Sequence, residues 1–336
     1  MTNPPRLLQV GFTCRDLDQS AQFYVDHLGF SRGAGWQIEG SRYAALLGLP
    51  QATLKLLRLQ LGAECLELMQ VLDPGPRQRQ GQPIPADSRS CDLWFQHICM
   101  VCSDLDAAIS RLQPALQSGQ AQAVSTAAQT LPPWNTAAAG IRAYKFRDPD
   151  GHNLELLQFP PDKGDARWHQ ASGNPGQQPV NLGIDHSAIS VASTEASCRF
   201  YDQLLGLRLG GDGINSGPTQ DGLDGLSDTR VRITGHRCPV GAGIECLNYL
   251  PPNLGRAMPT VLGAQDLAHW QIRLQLDDLN TIVDQIEPYG GQLLTPSPVD
   301  LGEEGEAFGF GRALQVADPD GHRLQLVETG SAGGLA

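Results

Sequence analysis

Asp148-Pro149-Asp150-Gly151-His152-Asn153-Leu154-Glu155-Leu156-Leu157-Gln158-Phe159 returns near the far end of the chain as Asp318-Pro319-Asp320-Gly321-His322-Arg323-Leu324-Gln325-Leu326-Val327-Glu328-Thr329. Each copy reads as a tight turn running into a strand. Proline fixes φ, glycine accepts positive φ, and the apolar residues that follow alternate with period two. The informative difference is one side chain: the carboxylate of Glu155 stands where the second copy has the amide of Gln325.

Upstream of each turn the same pattern can be followed back. Leu7 to Cys14 alternates as a strand, Asp16 then stands as an N-cap, and Leu17, Ala21, Tyr24 and Leu28 fall on one helical stripe that Gly29 closes. Leu54 to Leu61 and Glu64 to Val71 follow as strands. The pattern restarts at Trp94 to Cys102 with Asp104 as cap, again at Ile184 to Val191, and again at Ala268 to Leu274. Gln9, His97, His186 and His269 mark the four starts at intervals of 88, 89 and 83 residues. Repetition at a nearly fixed period predicts four like units. Pro160 to Pro179 is rich in Pro, Gly, Gln and Asn without apolar periodicity, and is read as the boundary between two pairs. The expected organisation is a first domain at 1–162, with modules 1–90 and 91–162. A linker at 163–180 and a second domain at 181–330, with modules 181–263 and 264–330, complete it.

At 336 residues each pair can bury its own core. No run of 18 apolar residues and no basic-then-apolar N-terminus occurs, so the expectation is a cytoplasmic protein with no membrane partner. A net charge of −12 without a Lys/Arg tract predicts no nucleic-acid partner, because such a surface needs clustered positive charge. A small-molecule substrate is left, with a monomer or homodimer as the state of assembly. The eight cysteines are scattered and read as reduced thiols. Cys99-x-x-Cys102 lies on a strand whose alternation points the two thiols to opposite faces.

One polar side chain sits in the first strand of each unit and another in the last. Gln9 and Glu67 are 58 residues apart, as are His97 and Glu155. By alternation each carboxylate points as a core residue otherwise would, and an unpaired buried carboxylate is costly. A divalent cation held by Gln9, Glu67, His97 and Glu155 would remove that cost. Imidazole plus oxygen ligands suit Fe, Mn, Co, Ni or Zn. Taken singly each of the four reads as an ordinary hydrogen-bonded strand residue; their recurrence carries the metal reading.

Val10-Gly11-Phe12-Thr13-x-x-Asp16-Leu17, Phe23-Tyr24-x-x-x-Leu28-Gly29-Phe30, Asp185-His186, Phe200-Tyr201-x-x-Leu204-Leu205-Gly206-Leu207 and the two Asp-Pro-Asp-Gly-His turns together resemble the vicinal oxygen chelate superfamily, which embraces glyoxalase, bleomycin-resistance and extradiol-dioxygenase proteins. The resemblance implies an α+β fold of four βαβββ modules, paired into two domains that each curve a mixed sheet into a metal- or ligand-binding cup. It puts Gln9, Glu67, His97 and Glu155 on the ligand positions of the first domain, a set like that of glyoxalase I. His186, Asn248, His269 and Gln325 fall on those of the second. It implies a lyase, isomerase or epimerase that moves a proton, with Glu155 as base and Glu67 as ligand or second proton carrier. An iron dioxygenase of the same fold and a non-catalytic binding protein are the alternatives. An amide at Gln325, where those dioxygenases have a carboxylate, speaks against a standard iron centre in the second domain.

Overall fold

The computed structural model describes residues 4–170, 179–239 and 241–328. The linker expected at 163–180 lies partly outside the described residues, as do residues 329–336. Module 1 comprises β1 (Arg6–Thr13), α1 (Leu17–Leu28), β2 (Ser31–Glu39), α2 (Arg42–Leu46), β3 (Thr53–Leu61) and β4 (Glu64–Asp73). Module 2 comprises β5 (Gln96–Cys102), α3 (Leu105–Ser118), the short β6 (Gln122–Ala123) and β7 (Gln129–Thr130), β8 (Arg142–Arg147) and β9 (Asn153–Gln158). Module 3 has β10 (Asn181–Ser190), α4 (Thr194–Cys198) continuing as a π-helical stretch Arg199–Leu204, β11 (Arg208–Ser216), α5 (Pro218–Asp224), β12 (Arg230–Arg237) and β13 (Gly243–Tyr249). Module 4 has β14 (Trp270–Gln275), α6 (Asn280–Val283), β15 (Gln292–Leu293), β16 (Val299–Asp300), α7 (Glu303–Phe308), β17 (Arg312–Ala317) and β18 (Arg323–Glu328). No helix among the described residues is long and apolar enough to cross a membrane.

The local signals act as read. Asp16 accepts from the Gln19 amide, and Gly29, at φ 81°, ends α1. In the quoted turn Asp148 Oδ1 accepts from the Asp150 and His152 amides, with Gly151 at φ 94°. Asp318 does the same for Asp320 and His322. The turn histidines join modules: His152 Nε2 is 2.8 Å from the Leu267 carbonyl and His322 Nε2 is 2.7 Å from that of Ser190.

The modules pair differently from expectation. One sheet runs β15-β17-β18-β14-β1-β4-β3-β2 and the other β11-β12-β13-β10-β5-β9-β8-β6. Module 1 therefore closes its sheet with module 4, through antiparallel β1 and β14, and module 2 closes with module 3, through β5 and β10. The division at 1–162 and 181–330 is not the division between sheets. The physical reason lies in chain entropy: closing a loop three times longer costs roughly 1 kcal/mol more, which strand complementarity easily exceeds. Phe12 stacking on Trp270 at 4.9 Å across β1 and β14 is part of that complementarity. Modules 1 and 2 do touch, through α1 against α3 and through Tyr24, whose hydroxyl donates to Asp148. Val10, Phe12, Leu66, Ile98, Met100, Leu154, Ile189, Ile244, Ile272 and Leu324 share one core with the helices. Residues alternating with these look into the two cups.

Expressed as two polypeptides divided between residues 162 and 181, the halves are expected to co-purify as a 1:1 complex, because each sheet needs strands from both. Two folded halves eluting separately from a sizing column would show that modules 1 and 2 close a cup by themselves.

Candidate metal centre

In the sheet of modules 2 and 3, parallel pairing sets Cys99 beside Glu155 and Ala188 beside Glu245, while antiparallel pairing sets Cys99 opposite His186 and His97 opposite Ala188. Small residues at 99 and 188 leave the centre open. His97, Glu155 and His186 turn toward it, with one donor atom from each lying within 4.8 Å of the others. His97 Nε2 is 2.9 Å from Glu155 Oε2, and His186 Nε2 is 3.4 Å from Glu245 Oε2. These approaches lack hydrogen-bond alignment: both ring nitrogens of His97 and Nε2 of His186 are buried without a hydrogen-bond partner. Such orphaned nitrogens cost about 1–3 kcal/mol each unless something binds them. A nitrogen pair and two carboxylates with lone pairs aimed at a common point fit a divalent cation.

Neighbours fix this geometry. Asp185 Oδ2 lies 2.8 Å from His186 Nδ1, which assigns the proton to Nδ1 and leaves the Nε2 lone pair facing inward. Arg237 Nη1 holds the same Asp185 oxygen at 2.8 Å. Burial pushes the Glu155 carboxyl up, but Lys145, His97 and His186 outweigh it and bring its pKa down to about 2. Burial holds His97 below the ordinary histidine range despite Glu155. For His186 burial also lowers the pKa, but Glu245 and Asp185 win and raise it. Lys145, directly across β8 and β9 from Glu155, is itself held by Asp224 at 2.7 Å, and Asp224 also accepts from Gln220 and from the Tyr249 hydroxyl. Glu155, His186 and Glu245 open onto a cavity of about 820 Å³. The loop from Leu131 to Ile141 edges its mouth, with Asn135 Nδ2 donating across to Asn215 on β11.

The sheet of modules 1 and 4 uses the same positions and closes them. Gln9, Glu67, Gln271 and Gln325 occupy the places of His97, Glu155, His186 and Glu245. Arg273, standing where the other sheet has Cys99 or Ala188, projects into the middle and is 1% exposed. Its Nη2 is 3.0 Å from Glu67 Oε1 and 2.9 Å from the Tyr43 hydroxyl, and its Nε is 2.5 Å from Gln325 Oε1. Burial raises the Glu67 pKa, yet Arg273, Gln9 and Tyr43 bring it below the usual range. Phe310 lies under the guanidinium at 4.7 Å and Phe308 stacks on Tyr43 at 4.4 Å. Strand register equates these two phenylalanines with Ala138 and Gly140 at the mouth of the other cup.

The expected set of Gln9, Glu67, His97 and Glu155 is thus divided between two sheets. His97 and Glu155 meet His186; Gln9 and Glu67 meet Arg273. Gln325 lies with Glu67, apart from His186. Asn248 faces away from the cup, where its Nδ2 donates to the Val191 and Ala192 carbonyls, because it stands three residues past Glu245 on an alternating strand. His269 precedes β14 by one residue, and its ring nitrogens are buried without partners. The position facing the cup is Gln271. Glu245 escaped notice although Ile244-Glu245-Cys246 repeats the apolar-Glu-apolar pattern of Leu66-Glu67-Leu68 and Leu154-Glu155-Leu156. Its separation from His186 is 59 residues in place of 58.

The sequence profile of the Glyoxalase/Bleomycin resistance protein/Dioxygenase superfamily matches residues 6–156 and 183–326, and the chain belongs to that superfamily. No curated protein sequence matches it significantly. Among solved structures it is similar to glyoxalase I from Zea mays, at 14% identity and TM-score 0.59, covering 96% of this chain and 92% of that one. It is also similar to a putative dioxygenase from Bacillus subtilis subsp. subtilis str. 168, at 13% identity and TM-score 0.55, covering 99% and 87%. At such identities the likeness is one of fold.

Replacing Arg273 by leucine is expected to cost about 3–5 kcal/mol in urea unfolding, since it strands a buried carboxylate, with Arg273→Leu/Glu67→Leu recovering most of it. An unchanged midpoint in the single variant would mean that Glu67 has no need of the cation. A second expectation concerns acid. Burial, helped by Arg323, brings His269 down to about 3, so its contribution is present above the unfolded value near 6.5 and is lost as pH falls toward 3. Between these limits the loss is about 1.4 kcal/mol per pH unit. His269→Gln should flatten the unfolding free energy by that slope relative to the parent; parallel pH curves would show that the ring is protonated in the native state.

Proposed function

We propose that the chain is a divalent-metal-dependent enzyme of the glyoxalase type, a lyase, isomerase or epimerase that moves a proton on a small oxygenated substrate. Its site is the open cup of modules 2 and 3, with His97, Glu155, His186 and Glu245 holding the ion. The observation that carries this reading is the convergence of two partnerless buried imidazoles and two carboxylates at the wall of a substrate-sized cavity. A cation bound there supplies Lewis-acid polarisation of a substrate oxygen, which acidifies the adjoining C–H.

The two carboxylates are set up for different tasks. Glu155 is buried and pinned as an anion by Lys145 and His97, which suits a fixed ligand. Glu245 has a side chain 23% exposed and only a 3.4 Å approach to His186. It has the freedom to take a proton from the substrate carbon and return it to the neighbouring atom, so the base is assigned to Glu245 in place of the Glu155 expected from sequence. Glu67, locked by Arg273 and Tyr43, takes no part.

A second reading has an observation of its own: His97, His186 and Glu155 form a two-histidine, one-carboxylate set, as in non-haem iron oxygenases. Glu245 weighs against it, because a fourth anionic ligand occupies a position that oxygen would need.

Elemental analysis of the purified protein is expected to give one divalent ion per chain, which His97→Ala/His186→Ala abolishes and Glu67→Gln leaves unchanged. Glu245→Gln should retain most of the metal and lose turnover by about 10²-fold or more in a screen of 2-oxo and 2-hydroxy thioester and hemithioacetal substrates. Metal lost on Glu67→Gln, or none bound after reconstitution, would overturn the assignment. Substrate-dependent oxygen uptake by the iron form would favour the second reading.

A further inference from the structure

Arg208 and Arg237 are Cα partners on the antiparallel strands β11 and β12, and both line the cavity. Like charges directly opposite each other on a sheet are destabilising unless a counter-charge lies between them. Arg237 has one, Asp185, on a single guanidinium edge; its side chain is still 37% exposed. Arg208 is exposed and has no carboxylate within ion-pair distance among the described residues. The pairing is also built for Arg237: a Cβ on Gly210 would come within 2.9 Å of its Cγ, and one on Gly243 within 3.0 Å of its Cδ. Two glycines thus make the slot in which the arginine stem lies. Beyond them, Gly211 and Gly213 present bare backbone with open space where side chains would stand.

The carboxylates of the same wall are already engaged. Asp212 is held by Arg232 at 2.8 Å, and Asp165 accepts from the Arg167 amide. Lys163, also at the cavity, donates only to the Thr136 carbonyl. In a chain of net charge −12 this leaves a local excess of cations facing one cavity.

We infer that Arg208 and Arg237 form an anion subsite, so that the substrate carries a carboxylate or phosphate remote from the oxygen atoms held at the metal centre. Arg237 links the two ends, since the Asp185 it grips is the residue that orients His186. The inference deepens the proposed function, on which it rests for the chelating end of the substrate; the anion end rests on the arginine pair alone.

The test compares acetohydroxamate with the mono-hydroxamates of succinate, glutarate and adipate, which add a terminal carboxylate at increasing reach. Calorimetry on Co²⁺-loaded protein should show at least one of the three binding about tenfold or more tighter than acetohydroxamate, as expected of a charge-assisted bidentate contact. That advantage should shrink with added salt and fall to about twofold or less in Arg208→Gln, a variant remote from the ligands whose metal content should be unchanged. Arg237→Gln should lose it as well. Equal affinity across the wild-type series, or a preference that survives both substitutions, would overturn the subsite. Metal-free protein separates the two readings: glutarate and inorganic phosphate should raise its melting temperature in an Arg208-dependent way even if no hydroxamate binds. A thermal response without hydroxamate binding would sink the metal centre and keep the subsite. Hydroxamate binding without carboxylate preference would do the reverse.

Discussion

A carboxylate buried on the concave face of a sheet has to be given a positive partner, and three of the four modules place one at the same point of their last strand: Glu67, Glu155 and Glu245. The fourth has Gln325, and the module carrying that amide also carries Arg273. Module 4 thus brings no charge that needs a cation and supplies one to its neighbour. In the other sheet no such side chain exists. Cys99 and Ala188 stand where an arginine could have reached in, and the centre is left to two histidines whose inward nitrogens have nothing to bond. One cup therefore satisfies its carboxylate internally, while the other leaves a demand that only a ligand from outside can meet.

The same division runs through the packing. Phe308, Phe310, Tyr43 and Leu301 fill the closed cup and belong to one apolar cluster with Leu54, Leu56 and Met69. In the open cup the register equivalents of the two phenylalanines are Ala138 and Gly140, and the space they leave is part of the cavity. Two aromatic side chains bury some hundreds of Å² between them, so this exchange converts a stabilising plug into a ligand site. A chain that duplicates its modules can lose that stability in one cup because the other retains it, and the helices of both sheets share a single core.

The repeat was legible in the sequence because its local signals are strong: the Asp caps, the Asp-Pro-Asp-Gly-His turns and the apolar alternation each act within a few residues. What could not be read was which module pairs with which. That choice depends on contacts between strand edges, such as Phe12 with Trp270, and on connectors whose length costs little. The site residues divided along the same line. His97 and Glu155 were recoverable because they lie in one module at a spacing set by that module. Their partner His186 was visible but assigned to a different cup. Glu245 was missed because one extra residue in module 3 shifts the interval, and Asn248 was taken in its place.

Asn248 shows why the shift misled. Gln70, Gln158 and Glu328 stand at the same offset of three from Glu67, Glu155 and Gln325. Gln70 accepts from the Leu17 amide, Gln158 from the Leu105 amide and Glu328 from the Leu279 amide, each at the start of its module's helix. Asn248 keeps the corresponding place in module 3, bonding to Thr194 and to the carbonyls that precede α4. Polar residues therefore recur on both faces of each last strand for unrelated reasons: one fastens the helix to the sheet, the other faces the cup. Recurrence alone does not distinguish them, but parity does. A residue an even number of positions from the apolar core residues is drawn to the helix side, and one an odd number away to the cup. Applied to Ile244 and Cys246, which lie in the shared core, that rule sends Asn248 to the helices and Glu245 to the centre.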